Sequence, residues 1–335
     1  MITSVNECLR PHEAVDVHMH TLASDGDWTP QELVDHLAER NFRVIAVCDH
    51  DTMRSVDEVI ERAEPRGMIV VPGIEVTTEW DNRQWHLLVY NIDMELPRAE
   101  RFRSLIKQQD DNLRAAAERA IELVENKGNQ LKSLDEVVAG RPLLPVHVLR
   151  TIIKDGYATN LMTAHRLVIN AGEDLKVDSP LDETVSAAKE AGGVCVVAHP
   201  GRDDGGGLMS EDQLDRMLRI AAIDGLEGHY RSYSDADTTK YRSMAIDRGL
   251  VVSCGSDSHA PGHPVNPKPH AARWVAPFLR RLGFSVEPFG GVSWKPGAPD
   301  AAELQASLEA VDGGTNAASD SEDSTMKPLT GARRG

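Results

Sequence analysis

The segment AVDVHMHTLASDG, residues 14–26, ends a short apolar run in Asp-x-His-x-His and follows it with Asp25. In an extended strand residues i, i+2 and i+4 share one face, so Asp16, His18 and His20 point the same way. The two histidines then stand about 7 Å apart along the chain. That spacing lets both imidazoles reach one metal ion, and a polar strand end facing solvent would have the same pattern. The later apolar runs decide between the two readings. The second ends Asp49-His50-Asp51, the third carries Glu75, and the fourth opens with His86. The fifth offers His199, and the seventh gives Asp257 and His259. Brought to one rim without a cation, this many imidazoles and carboxylates would repel or stay unsatisfied. As a set they read as a metal centre. Imidazole and carboxylate without thiolate suit Mn²⁺, Fe²⁺ or Zn²⁺. A carboxylate can also bridge two ions about 3.5–4 Å apart that hold a hydroxide between them, which polarises a phosphoryl oxygen and supplies a nucleophile without an activated Ser or Cys.

The elements that must position these groups alternate. Apolar β-like runs lie at residues 14–20, 43–50, 68–77, 86–90, 193–200, 225–230 and 250–259. Between the first two, Thr29-Pro30-Gln31-Glu32 is a capping box with Pro at the first helical position, opening a helix whose Leu33, Leu37 and Ala38 face a sheet. Ser55-Val56-Asp57-Glu58 repeats the signature. Strands separated by capped helices read as βαβ units in a parallel sheet, and seven runs suggest a barrel, whose C-terminal strand ends carry the chemistry. From about Pro97 to Gly172 the pattern is helical instead. One long helix is marked by Leu105, Leu113, Ala117, Ile121 and Val124 and ends near Gly128, and shorter helices follow at Pro145–Lys154 and Met162–Asn170. Pro299–Gly314 could form a short amphipathic helix with Leu304, Leu308 and Val311 on one side, and the Ser/Asp-rich end beyond it reads as disordered. The division expected is a first barrel part at 12–96, a helical insertion at 97–178, a second barrel part at 179–288 and a C-terminal extension at 289–335.

Composition limits the partners. A formal net charge of −17 argues against long nucleic acid, whose binding depends on clustered Lys and Arg. A phosphorylated substrate then needs local positive charge, which bound metal supplies. Four scattered cysteines without a C-x-x-C pair, no apolar signal core and no membrane-length run point to a soluble, reducing, cytoplasmic setting.

In order, D-V-H-M-H-T-L-A-S-D-G, V-C-D-H-D-T, G-I-E-V, W-H-L-L-V-Y, V-A-H-P-G-R and C-G-S-D-S-H resemble the motifs of the polymerase and histidinol phosphatase (PHP) superfamily. The insert stretch R-P-L-L-P-V-H-V-L-R-T-I-I-K-D-G-Y is similar to the bacterial branch of nucleoside 3′,5′-bisphosphate phosphatases and a 5′-to-3′ RNA-trimming exonuclease. The resemblance, over roughly residues 12–270, implies a distorted (β/α)7 barrel with three divalent ions. His18, His20, Glu75 and Asp257 would hold the first. Glu75, as a bridge, would hold the second with His86 and His199. Asp25, His50 and His259 would hold the third. It also implies phosphoester hydrolysis by attack of a metal-bound hydroxide, with Arg202 clamping a phosphate and His199 or Asp257 assisting proton transfer. His229 would touch the substrate or fill a rim position.

Two departures bear on the substrate. Leu143 stands where the branch has a histidine, with His147 falling later, and the Ser/Asp-rich tail is extra. His12, His36, His147, His165, His263 and His270 read as surface or structural residues. Asp16, Asp49 and Asp51 read as carboxylates orienting the imidazoles, an N-cap being the alternative for Asp51. The activity expected is a phosphoesterase acting on a small phosphorylated substrate, a nucleotide or nucleoside 3′,5′-bisphosphate. The alternatives are trimming of short RNA ends or C–N bond hydrolysis of the amidohydrolase type. The latter would require a metal-bridging lysine at a mid-chain strand end, and no run offers one.

Overall fold

A computed structural model describes residues 7–203 and 207–307. Its strands are β1 (Cys8–Leu9), β2 (Ala14–Asp16), β3 (Phe42–Ile45), β4 (Ile69–Val70), β5 (Gly73–Trp80), β6 (Arg83–Tyr90), β7 (Ser179–Pro180), β8 (Val194–Val197), β9 (Gly225–Tyr230), β10 (Val251–Gly255), β11 (His270–Ala271) and β12 (Ser285–Val286). One sheet runs β10-β9-β8-β6-β5-β7, a second runs β11-β2-β3-β4, and β1 pairs with β12. Two isolated bridges link the first two sheets, His50 beyond β3 to Glu75 on β5 and Met19 beyond β2 to Ser258 beyond β10. Both bridges lie at residues of the candidate metal set or directly beside them.

The helices α1 (Pro30–Ala38), α2 (Val56–Ala63), α7 (Leu181–Glu190), α8 (Glu211–Ile220) and α9 (Asp235–Ile246) alternate with the strands, giving a mixed α/β fold. The remaining helices are α3 (Glu100–Asn126), α4 (Leu134–Val138), α5 (Pro145–Lys154), α6 (Leu161–Ala171) and α10 (Ala276–Arg281). The Thr29–Glu32 capping box forms, and α1 buries Leu33, Val34 and Leu37. The second signature does not cap α2. Ser55 makes no side-chain cap: its own backbone is already helical, φ −85° and ψ −15°, and its hydroxyl is donated to Asp49.

The expected parallel order breaks at β11, antiparallel to β2, and at β6. β6 lies antiparallel to both β5 and β8. The reason is local: Asp81 and Asn82 both take positive φ, 56° and 55°, the geometry of a two-residue hairpin that Asp and Asn tolerate. Reversal carries the first half of β6 alongside the end of β8, so the His86 ring centroid lies 5.2 Å from that of His199, just beyond β8.

α3, α5 and α6 pack around Ala117, Ala120, Val124, Val148, Ile152, Ala164 and Val168, a core of their own, as the helical spacing of the insert predicts. α3 ends at Asn126, and Gly128 takes φ 93° just beyond it. Of the expected C-terminal helix, residues 301–307 are helical and include Leu304. Leu308, Val311 and the Ser/Asp-rich end lie outside the described residues. Among the described residues no helix is long and apolar enough to cross a membrane.

Candidate metal centre

Glu75 stands at the middle of the cluster and is fully buried on β5. Its Oε2 lies 3.0 Å from His18 Nε2, 3.1 Å from His20 Nε2 and 3.5 Å from His50 Nε2. Its Oε1 lies 3.1 Å from both His86 Nδ1 and His199 Nε2. The two oxygens of one carboxylate thus face different sets of imidazoles. Asp257 Oδ1 lies 3.1 Å from His20 Nε2, 3.3 Å from His259 Nδ1 and 3.5 Å from His18 Nε2. Asp25 Oδ2 lies 3.2 Å from His259 Nε2 and 3.9 Å from His50 Nε2.

Among the described residues three groups have ligand atoms within 4.8 Å of one another: His18, His20, Glu75 and Asp257; His20, Asp25, His50 and His259; and His50, Glu75 and His86. All nine sequence-predicted ligands are brought together. The loops holding them are set by backbone bonds across the strand ends, including Asp257 N–H to His18 O at 2.7 Å and Asp51 N–H to Glu75 O at 2.9 Å. His199 and Asp257 take the left-handed backbone, φ 26° and 52°, a strained conformation typical of functional positions.

The electrostatics fit bound cations. Burial disfavours charge on His18, yet Glu75, Glu227 and Asp257 outweigh it and raise its pKa well above the ordinary value. Burial is likewise overcome at His20, which Asp257, Glu75 and Asp25 raise to about 10. His50 is pushed down to about 3, chiefly by burial, with His20 and His86 adding to the effect. Protons alone leave conflicts: the Nε2 atoms of His18 and His20, both drawn toward protonation, lie 3.1 Å apart. The Nδ1 atoms of His20 and His50 are buried without a hydrogen-bond partner. Divalent cations satisfy this acceptor-rich N/O set without those conflicts, so the residues present fit metal.

Asp16, Asp49 and Asp51 do not orient imidazoles. Asp16 accepts the backbone N–H groups of Ser256 and Lys268, at 3.0 and 2.9 Å. Asp49 accepts the Thr21 N–H at 2.7 Å and the hydroxyls of Thr21 and Ser24 at 2.8 and 2.7 Å. Asp51 accepts the Thr77 N–H and hydroxyl, both at 2.9 Å, and caps no helix. They fix the loops that carry the ligands. The carboxylate that does hold an imidazole is Glu227, 3.0 Å from His18 Nδ1. It sits in the run GLEGHY, where the more conspicuous residue is His229.

His229 is not brought to the cluster. It packs on Trp274 with ring centroids 5.1 Å apart, and its Nε2 faces Arg242 Nη1 at 2.7 Å. The register between β9 and β10 slips there, with Ser253 opposite Glu227 but Cys254 opposite His229. The extra residue, Gly228, breaks the alternation, so Glu227 and His229 no longer share a face. Tyr230 takes the position by the cluster, donating its hydroxyl to Asp257 Oδ2 at 2.8 Å. Arg202 Nη1 donates to the same oxygen at 2.8 Å. Arg231, which the sequence did not single out, donates to the carbonyls of Ser256 and Asp257. Beside His86 and His199 opens a cavity of about 460 Å³, lined also by Arg83, Trp85, Lys176 and Arg202.

Comparison with known proteins agrees with this geometry. The chain is 28% identical over 263 residues to a 3′,5′-nucleoside bisphosphate phosphatase of Chromobacterium violaceum, covering 74% of this chain and 88% of that one. It is 27% identical over 256 residues to the 5′-3′ exoribonuclease Rnm of Escherichia coli, covering 73% and 85%. Among solved structures, a protein of Bifidobacterium adolescentis classed with the metal-dependent phosphoesterases superposes with a TM-score of 0.63 at 28% identity, covering 77% of this chain and 92% of that one. A structure described as an amidohydrolase from Chromobacterium violaceum, with bound sulfate and no metal, gives 0.63 and 28%, covering 76% and 90%. Residues 16–132 match the PHP domain, and His18, His20, Asp25, His50, Glu75 and His86 lie inside that match.

Proposed function

We propose that the chain is a metal-dependent phosphoesterase hydrolysing a small phosphorylated substrate, a nucleotide or nucleoside 3′,5′-bisphosphate. The observation that carries this reading is Glu75, whose two oxygens face separate imidazole sets as a bridging carboxylate would. In this reading the two sheets, linked by the two isolated bridges, are one distorted (β/α)7 barrel. Residues 12–96 and 179–288 form it, 97–178 are inserted, and 289–335 extend it. His18, His20, Glu75 and Asp257 hold one ion. Glu75, His86 and His199 hold a second, and Asp25, His50 and His259 hold a third, each Mn²⁺, Fe²⁺ or Zn²⁺. Bound ions supply Lewis acidity toward the phosphoryl oxygens and activate water as the nucleophile.

The chain's own residues do the rest. Arg202 lies at the cavity and is suited to clamp a phosphate through its guanidinium fork. His199 or Asp257 assists proton transfer: Asp257 Oδ2 accepts from Tyr230 and Arg202, and His199 Nε2 faces Glu75.

A second reading, trimming of short RNA from its 5′ end, is favoured by the exoribonuclease relatives. The test is metal analysis of unchelated protein, coupled to phosphate and nucleotide release from nucleoside 3′,5′-bisphosphates, 5′-monophosphates, sugar phosphates and short 5′-phosphorylated RNAs. Two or more ions per chain with the highest kcat/KM on a bisphosphate support the first reading. Preference for RNA supports the second. Well under two ions, with no release from any ester after Mn²⁺ addition, refutes both.

A further inference from the structure

Glu227 is fully buried on β9 and spends both oxygens on the cluster. Oε1 faces His18 Nδ1 at 3.0 Å, and Oε2 accepts the backbone N–H of His199 at 2.8 Å. The two partners come from different sheets, His18 just beyond β2 and His199 just beyond β8. A close approach across β10 makes room for the carboxylate: a Cβ on Gly255 would come within 2.5 Å of Glu227 Oε1.

Each contact has a distinct consequence. An acceptor at Nδ1 fixes the proton of His18 on that nitrogen. The Nε2 lone pair is then left pointing at the space shared with Glu75 Oε2, 3.0 Å away, and Asp257 Oδ1, 3.5 Å away. A ligand imidazole is oriented, and made a better donor, by such an outer carboxylate. The contact at His199 holds a backbone whose φ is 26°, a conformation that costs roughly 1–3 kcal/mol unless its surroundings hold it. Among the described residues Glu227 hydrogen-bonds to His18 and His199 and to no member of the Asp25, His50 and His259 group.

We propose that Glu227 is a positioning residue that couples two of the three metal sites. It sets the His18 tautomer for one and the His199 backbone for the other, and leaves the site of Asp25, His50 and His259 outside its reach. This rests on the metal assignment above. It concerns ion occupancy, so it is read without any ester hydrolysis.

The experiment titrates ions per chain by mass spectrometry against buffered free Mn²⁺, for wild type, Glu227→Gln and Glu227→Ala, with circular dichroism as the check on folding. The glutamine amide has one acceptor oxygen, so either His18 or His199 faces an N–H in place of an acceptor. In both variants two ions are expected to bind roughly 10–100-fold more weakly, while one ion keeps its wild-type affinity. Wild-type affinity for every ion in the folded variants overturns the proposal. So does a parallel loss of all ions, which marks a general structural defect. A wild-type chain that binds no ions rejects the proposed function itself. A second measurement needs no variant: ¹⁵N chemical shifts of His18 in metal-loaded wild-type protein are expected to show a proton on Nδ1. A proton-free Nδ1 overturns the proposal.

Discussion

Replacing Glu75 by glutamine changes one oxygen to an amide nitrogen at almost constant volume. Five imidazole nitrogens lie within 3.5 Å of the two carboxylate oxygens, two at Oε1 and three at Oε2. Whichever way the amide turns, one set keeps an oxygen and the other meets N–H donors. The carboxylate charge is lost to both. Removing one partner of a buried charged pair costs about 3–5 kcal/mol, which corresponds to roughly 10²–10⁴-fold in the affinity of an ion that depended on it. Glu75→Gln is therefore expected to lose at least one ion at micromolar free Mn²⁺ and to lower kcat/KM by about 10³ or more, equivalent to about 4 kcal/mol. Metal analysis and phosphate release on the same preparation measure both effects, and circular dichroism checks the fold. A folded variant that retains its ions and near wild-type turnover refutes the bridging role. The two readouts also separate two errors. Retained ions with lost turnover would place Glu75 in proton handling, not in metal binding.

Arg202→Ala is expected to raise KM more than it lowers kcat, since it removes a phosphate contact and leaves the imidazoles in place; a fall confined to kcat contradicts the clamp. Gly255→Ala should destabilise the fold by about 1–3 kcal/mol through overpacking against His18 and Glu227, and a denaturation midpoint equal to wild type would contradict that packing. His147 is buried on α5, and its Nδ1 accepts the Leu144 N–H at 3.1 Å. Burial, with Arg141 and Arg150 nearby, lowers its pKa from 6.5 to about 4. As pH falls the unfolded chain takes the proton first, so its share of stability, at most about 3 kcal/mol, is complete above pH 6.5 and is lost as pH drops to about 4. Denaturation at several pH values should show a shallower acid slope for His147→Gln, and parallel slopes would exclude this histidine as a source.

The structure gives His147 a place that its spacing did not. Read from sequence as surface or structural, it is 1% exposed and forms part of the helical unit. The nine candidate ligands were legible because each sits on or just beyond an apolar run, where period-two alternation and strand ends are visible in one dimension. His86 looked anomalous at the start of its run, and the turn that explains it, Asp81-Asn82, was itself present in the sequence. The partners of Asp16, Asp49 and Asp51 were not legible. Their acceptors are spent on backbone N–H and hydroxyl groups as many as 252 residues away, as with Lys268 on Asp16, and carboxylate spacing carries no record of such contacts.

Residue type and local pattern by themselves determined the donor chemistry, the helix caps at Thr29 and the α/β alternation, because propensity and periodicity act over a few residues. Tertiary structure alone decided which oxygen of Glu75 meets which imidazole, and that the slip at Gly228 turns Glu227 toward His18 and His229 away. A one-residue change of register reverses the face of every side chain beyond it, and register is settled by pairing between strands far apart in the chain.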